Sequence, residues 1–284
     1  MSSKNDNNIK AVRKKRSFKD ILFKVVIGII FFVSLGTLIY SGYKIYRWYD
    51  DNRNNEQLAK EIQNNTKTNT KDGGDLVNPP EDTNDSYWKY KNMNLSSVDF
   101  SELLKENSDT VGWIWVNGTD IDFPVVKTSS NSYYLRHSFD KTYNGAGWIF
   151  MDYRNNNKDF DYNTVIYGHS MKNHSMFWSL RKTLNREWYN NYENRIIKFS
   201  TPYENTLWQV FSVYKIKAES YYIRTDFYDD NDFSSWISKV KSRSMFDFGT
   251  SVNAKDKVIT LSSCYDSNDT RMVLHAKLIK KEVR

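Results

Sequence analysis

Residues 25–43 (VVIGIIFFVSLGTLIYSGY) run for nineteen positions without a charge. As a helix rising about 1.5 Å per residue, the run is about 28 Å long, close to the hydrocarbon thickness of a bilayer. It exceeds the apolar core of a signal peptide, and no small-x-small cleavage site follows it. The reading is an uncleaved membrane anchor; a buried core helix is the alternative. Basic residues precede the run (Arg13, Lys14, Lys15, Arg16 and Lys19). This bias predicts a cytoplasmic N-terminus with the rest of the chain outside, and Tyr46, Trp48 and Tyr49 suit the outer interface.

The charge distribution narrows the partners. The chain carries +7 overall, but residues 1–49 hold ten Lys/Arg against two acids, a net +8, which leaves −1 for everything after them. A near-neutral body gives no counterion-release drive toward nucleic acid, so no nucleic-acid partner is expected. Four regions follow: a basic cytoplasmic segment (1–24), the anchor (25–43), a polar stalk (44–95) rich in Asn, Asp, Lys and Thr, and an extracytoplasmic body (96–284). The body opens with a short helix through Leu103 and Leu104, capped by Ser101. Residues 111–116 and 121–126 flank Asn117-Gly118 and read as a hairpin. Strands are predicted at 147–151, 164–167, 196–200, 207–216, 257–261 and 272–279, and helices at 131–136, 175–180 and 233–242. This density of short strands with a few inserted helices predicts a mainly β fold, a closed barrel or a sandwich. In the last strand Met272, Leu274, Ala276 and Leu278 alternate with Arg271, Val273, His275 and Lys277, so the first set is expected to face the core.

One cysteine, Cys264, excludes an internal disulfide. Outside the cytoplasm a lone thiol is either buried and inert or kept because it reacts. Three segments carry candidate chemistry: Gly168-His169 after the apolar strand TVIY, Cys264 at the end of KVITLSSC, and Arg271 at the start of the last strand. A thiol is only a few per cent ionised near neutral pH. An imidazole accepts and returns protons in that range, and a guanidinium suits an oxyanion or a peptide carbonyl. His174 and His275 are rival bases. His275 lies four residues from Arg271, about 13 Å along a strand, which puts it beyond reach of a site built around that arginine. One Cys and scattered His give no metal-ligand spacing.

These segments resemble the sortase family. TLSSC followed by Arg271 is similar to the signature TLxTC…R, and YGHSM (167–171) to the family's histidine segment. GWI, PVV, MDYRN (151–155), MF (176–177) and YYIRTDF (221–227), with a helix just after the last, resemble class B members. Ser263 stands where the signature has Thr; a hydroxyl is kept and a methyl lost. The resemblance implies a sortase-type closed eight-stranded β-barrel with N-terminal helices and an inserted helix before the nucleophile strand. It implies a transpeptidase that needs no cofactor or metal. Cys264 would attack the Thr carbonyl of an LPxTG- or NPQTN-like sorting motif on a secreted protein. His169 would shuttle protons to the departing and from the incoming amine, the latter from a peptidoglycan peptide. Arg271 would hold the substrate and the oxyanion. By motif position, Asn131, Leu135, Tyr222, Ile223 and Ser262 would line the groove, with Asp266 beside it. The alternatives are a pilin-polymerising enzyme, disfavoured because the chain closes on KKEVR without a second span; a membrane-tethered peptide- or glycan-binding module with an inert cysteine; and a plain cysteine protease.

Overall fold

A computed structural model describes residues 17–71, 86–264 and 269–284. They belong to two compact units, Met1–Tyr49 and Asp50–Arg284. Helix α1 (Phe18–Asn65) supplies the described part of the first unit, where Ile29, Phe32 and Leu38 are exposed, and it is long and apolar enough to cross a membrane.

The second unit begins at Asp50, well inside the segment expected to be a stalk. The last turns of α1 bury Asn52, Asn55, Ala59 and Ile62. Asn55 donates to the Gly147 carbonyl at 2.6 Å and Gln63 to the Asp122 carbonyl at 2.5 Å. Over residues 50–65 the expected stalk is thus corrected: amide side chains that look solvated in the sequence satisfy backbone carbonyls of the body. Strands β1 (Thr68–Lys71) and β2 (Leu95–Val98) then pair antiparallel, on either side of helix α2 (Ser86–Lys91). Helix α3 (Ser101–Glu106) follows; its N-cap position is Phe100 rather than Ser101, without a side-chain cap, and Asp99 just before it accepts from the Ser101 amide at 3.0 Å.

Eight further strands close a barrel. They are β3 (Thr110–Val116), β4 (Asp122–Val126), β5 (Phe150–Met151), β6 (Asn163–Tyr167), β7 (Ile196–Ser200), β8 (Glu204–Lys217), β9 (Val258–Cys264) and β10 (Thr270–Val283). The order is β10-β8-β7-β3-β4-β5-β6-β9 and back to β10. Only β4–β5 and β6–β9 among these pairs are parallel. The predicted hairpin at Asn117-Gly118 forms, with Gly118 at φ 70°, a left-handed conformation that favours glycine. Trp113, Trp148 and Trp208 are buried, and each indole N–H finds an acceptor: Asp122 Oδ1, the Pro124 carbonyl and Thr206 Oγ1.

Between the strands lie a 3₁₀ helix (Phe177–Leu184), helix α4 (Arg186–Asn190) and helix α5 (Asp230–Ser242). In α5, Phe233, Trp236, Ile237 and Val240 recur at helical spacing and are buried. Asp229 caps the helix by accepting from the Asp232 amide at 2.8 Å. That stripe covers the barrel's outer face, and this alters the reading of β10. Met272, Leu274 and Ala276 enter the main core as expected, but Val273 and His275 are buried too, packed beneath α5. The helix predicted at 131–136 is absent; those residues form turns held by long-range bonds, such as the Tyr134 hydroxyl to Asp109 at 2.8 Å.

Candidate active site

Strand register alone brings the three candidate segments together. β6 runs parallel to β9 with Tyr167 opposite Ser262, so two residues further along, His169 comes level with Cys264. β10 runs antiparallel to β9 with Arg271 directly opposite Cys264. Neighbouring strands lie about 4.8 Å apart. Cys264, at the end of the middle strand, is therefore flanked by His169 on one side and Arg271 on the other. The backbone bond from the Gly168 amide to the Ser262 carbonyl, 3.2 Å, carries the β6–β9 alignment up to the histidine.

Gly168 is required for packing rather than for a left-handed turn. A Cβ there would sit 2.5 Å from Phe177 Cγ and 2.6 Å from Ile149 Cδ1. Gly147, at φ 59°, clears the other side of the histidine, where a Cβ would lie 2.9 Å from His169 Cδ2. The His169 carbonyl accepts from the Phe177 amide at 2.8 Å. Its ring Nε2 lies 2.9 Å from the Leu135 carbonyl. A carbonyl only accepts, so Nε2 carries the hydrogen, and in the neutral ring Nδ1 keeps the lone pair. Burial pushes the His169 pKa below the ordinary histidine value and so favours the neutral ring, partly opposed by the bond to Leu135.

A cavity of about 720 Å³ opens here. His169, Arg271, Asn131, Leu135, Tyr222, Ile223 and Ser262 all line it, so these seven sequence-derived candidates share one site. The Tyr222 hydroxyl and Ser262 Oγ are 3.1 Å apart, joining the wall to β9. Ser263 Oγ is buried on the cavity wall with no hydrogen-bond partner among the described residues. The sixth groove candidate, Asp266, lies outside the described residues. Of Cys264, the backbone at the end of β9 is described.

The rival histidines are occupied elsewhere. His174 stacks on Trp178 with ring centres 3.8 Å apart. His275 is fully buried. Its Nε2 lies 2.8 Å from the Tyr214 hydroxyl and its Nδ1 2.8 Å from Thr260 Oγ1. Thr260 in turn meets Asn163 Oδ1 at 2.6 Å, and Asn163 Nδ2 donates to the Arg224 carbonyl at 2.7 Å. The chain has one consistent direction. Asn163 donates through Nδ2, so its Oδ1 accepts from the Thr260 hydroxyl. Thr260 then accepts from His275 Nδ1–H, and Nε2 accepts from Tyr214. Burial drives the His275 pKa down to about 3, in keeping with this neutral role.

Sequence reasoning gave no role to Asp152, Arg154 or Asn155 of MDYRN, nor to Tyr167. Asp152 accepts at Oδ2 from Asn131 Nδ2 (3.0 Å), the Tyr167 hydroxyl (2.8 Å) and Arg154 Nη2 (2.7 Å). Arg154 also donates to the Ile223 carbonyl at 2.9 Å. Asn155 ties β6 in place through the Asn163 carbonyl and the Val165 amide, both at 2.8 Å. The motif was visible, but only the folded chain shows what it touches. Among the described residues no three His, Cys, Asp or Glu side chains converge as metal ligands would.

The family model described as Sortase domain matches residues 114–279, more than half of the chain. The chain belongs to the sortase family. Sortase B of Listeria monocytogenes is 33% identical over 255 residues, spanning 88% of this chain and 95% of the relative. Sortase B of Staphylococcus aureus is 38% identical over 184 residues, 64% of this chain and 75% of that one. Among solved structures, sortase B from Bacillus anthracis superimposes with a TM-score of 0.66 at 33% identity, covering 82% of this chain and 99% of that one. The Staphylococcus aureus sortase B–substrate complex gives 0.60 at 38% identity, over 64% and 84%. This sortase is thus a class B member with the family's closed mixed barrel, a cysteine transpeptidase of the kind that anchors proteins to the cell wall.

Proposed function

We propose that this sortase cleaves an LPxTG- or NPQTN-like sorting motif after its threonine, holds the released protein as a thioester on Cys264, and passes it to an amine of a peptidoglycan peptide. The observation that carries this reading is the β6–β9–β10 register, which sets His169 level with Cys264 and Arg271 opposite it at the edge of one cavity. The Cys264 sulfur attacks the threonine carbonyl while its proton goes to a neutral His169, through Nδ1. The resulting imidazolium gives that proton to the departing amine as the C–N bond breaks. An incoming amine then attacks the thioester, His169 takes its proton, and the thiolate leaves. The fixed charge of Arg271 stabilises the oxyanion at both tetrahedral stages.

The apolar part of α1 anchors the enzyme, with the basic N-terminal segment in the cytoplasm and the barrel outside the cell. The downward shift of His169 suits a thiol–imidazole pair: surroundings that favour the neutral ring make it a base before it is an acid.

The test is a panel of LPxTG-like and NPQTN-like peptides offered to the enzyme with and without cell-wall peptide amines. Cleavage after threonine, with product diverted from the free acid to the amide as amine is added, is the expected result. Cleavage at another bond, or a product always hydrolysed whatever amine is supplied, contradicts the proposal.

A further inference from the structure

The cavity has two walls that come from distant parts of the chain. One is the 131–135 segment, which carries Asn131 and the Leu135 carbonyl that holds the His169 ring. The other is the 221–223 turn, carrying Tyr222 and Ile223. Between them sits Asp152, whose side chain is fully buried. It does not line the cavity; it touches the first wall at Asn131 and is joined to the second through Arg154, which reaches the Ile223 carbonyl.

The hydrogen bonds around Asp152 define a clamp. Its Oδ1 accepts from the Arg154 amide (3.0 Å) and Arg154 Nε (2.8 Å); its Oδ2 accepts from Asn131, Tyr167 and Arg154 Nη2. Asn131 is fixed at its other end too, since its Oδ1 accepts from the Tyr153 amide at 2.9 Å. Its orientation is therefore determined, and one amide N–H remains for a peptide. Arg154 reaches the opposite wall at the Ile223 carbonyl. Tyr167, two residues before His169, is held from below. A carboxylate suits this place because five donors converge on two oxygens that only accept. Burial alone would raise the Asp152 pKa, but the bonds from Arg154, Tyr167 and Asn131 outweigh it and hold the carboxyl below its ordinary range.

We infer that Asp152 is a positioning residue that sets the spacing between the two groove walls, and through it the enzyme's grip on the sorting-motif peptide, with Arg154 as the arm to the Ile223 side. The peptide part of this inference rests on the function proposed above; the spacing part does not. An amide at position 152 cannot replace the carboxylate. Either orientation of the amide turns an NH₂ against donors, Arg154 on one side or Tyr167 and Asn131 on the other.

The experiment uses the full-length enzyme with Asp152→Asn and Arg154→Gln, each checked for folding by far-UV circular dichroism. Deuterium uptake is followed by mass spectrometry on the resting protein, and kcat and KM are measured on the cleaved peptide. For Asp152→Asn, uptake rises in 131–135 and 221–224 together while β10 is unchanged. KM rises about tenfold or more and kcat falls less than about threefold, as expected for lost binding geometry without lost chemistry. For Arg154→Gln, uptake rises at 221–224 and not at 131–135, which keeps the inference testable should Asp152→Asn fail to fold. Unchanged uptake at both walls, or a rise spread equally through β10, overturns the inference. If the parent enzyme cleaves none of the peptides, the proposed function fails, and the uptake comparison still decides the role of Asp152.

Discussion

Cys264 on β9 and Arg271 on β10 are cross-strand partners in an antiparallel ladder. Directly opposed residues in such a ladder have Cα atoms about 4.5–5.5 Å apart. The seven-residue separation in sequence thus becomes a contact distance in space, fixed by backbone pairing rather than by loop conformation. Arg271 is expected to act through this fixed position. Arg271→Ala lowers kcat/KM by about 10²–10³, the usual cost of one oxyanion donor. Arg271→Lys recovers little, because an ammonium lacks the planar fork. Steady-state kinetics on the cleaved peptide check both.

Gly168 is packed against Phe177 and Ile149 with no room for a methyl group. Gly168→Ala is expected to cost about 1–3 kcal/mol, the range for overpacking a core. It also displaces His169, so kcat/KM falls more than stability predicts. Urea unfolding and kinetics on the same preparation separate the two effects.

His275 gives a pH dependence with a definite sign. In the unfolded chain a histidine titrates near 6.5, whereas here burial lowers its pKa to about 3. Between those values the unfolded state holds a proton that the folded state does not, so stability falls as pH drops below 6.5. One such group contributes a slope of up to about 1.4 kcal/mol per pH unit. Urea titrations at several pH values show whether His275→Gln flattens that slope, as expected. A slope unchanged in this variant contradicts the account.

His169 is also shifted downward, by burial. The imidazole resonance of His169, followed by NMR in Cys264→Ala protein, is expected to titrate with a midpoint below 6.5. A midpoint above 7 contradicts a neutral resting base.

The compact unit starts at Asp50, so a chain beginning there is expected to be soluble and folded. A chain beginning at residue 86 exposes the surface that Ala59 and Ile62 cover and loses the Asn55 and Gln63 bonds. It should be less stable by at least about 2 kcal/mol, roughly 4–8 °C in Tm.

How much of this was legible depended on whether a residue's partner could be inferred from its type. The barrel strands and α5 announced themselves through period-two and helical spacing. The site followed from the endings of three strands, because strand termini are where a barrel presents side chains. The end of α1 did not, since Asn52 and Asn55 look like solvated residues and are buried. The alternation in β10 assigned only one of its faces to the core, whereas α5 buries Val273 and His275 on the other. The 131–136 segment was read as a helix, but Tyr134 and Asn131 bond to distant partners instead. Asp152 was invisible as a clamp because its partners come from residues 131, 154 and 167, and nothing local signals their meeting.

The most direct test is the intact mass of the enzyme quenched during turnover of a peptide it cleaves. The account predicts a species heavier than the enzyme by the N-terminal cleavage fragment less one water, mapped to Cys264, discharged by hydroxylamine and missing from Cys264→Ala. Turnover that continues in Cys264→Ala, or an adduct mapped to another residue, contradicts it.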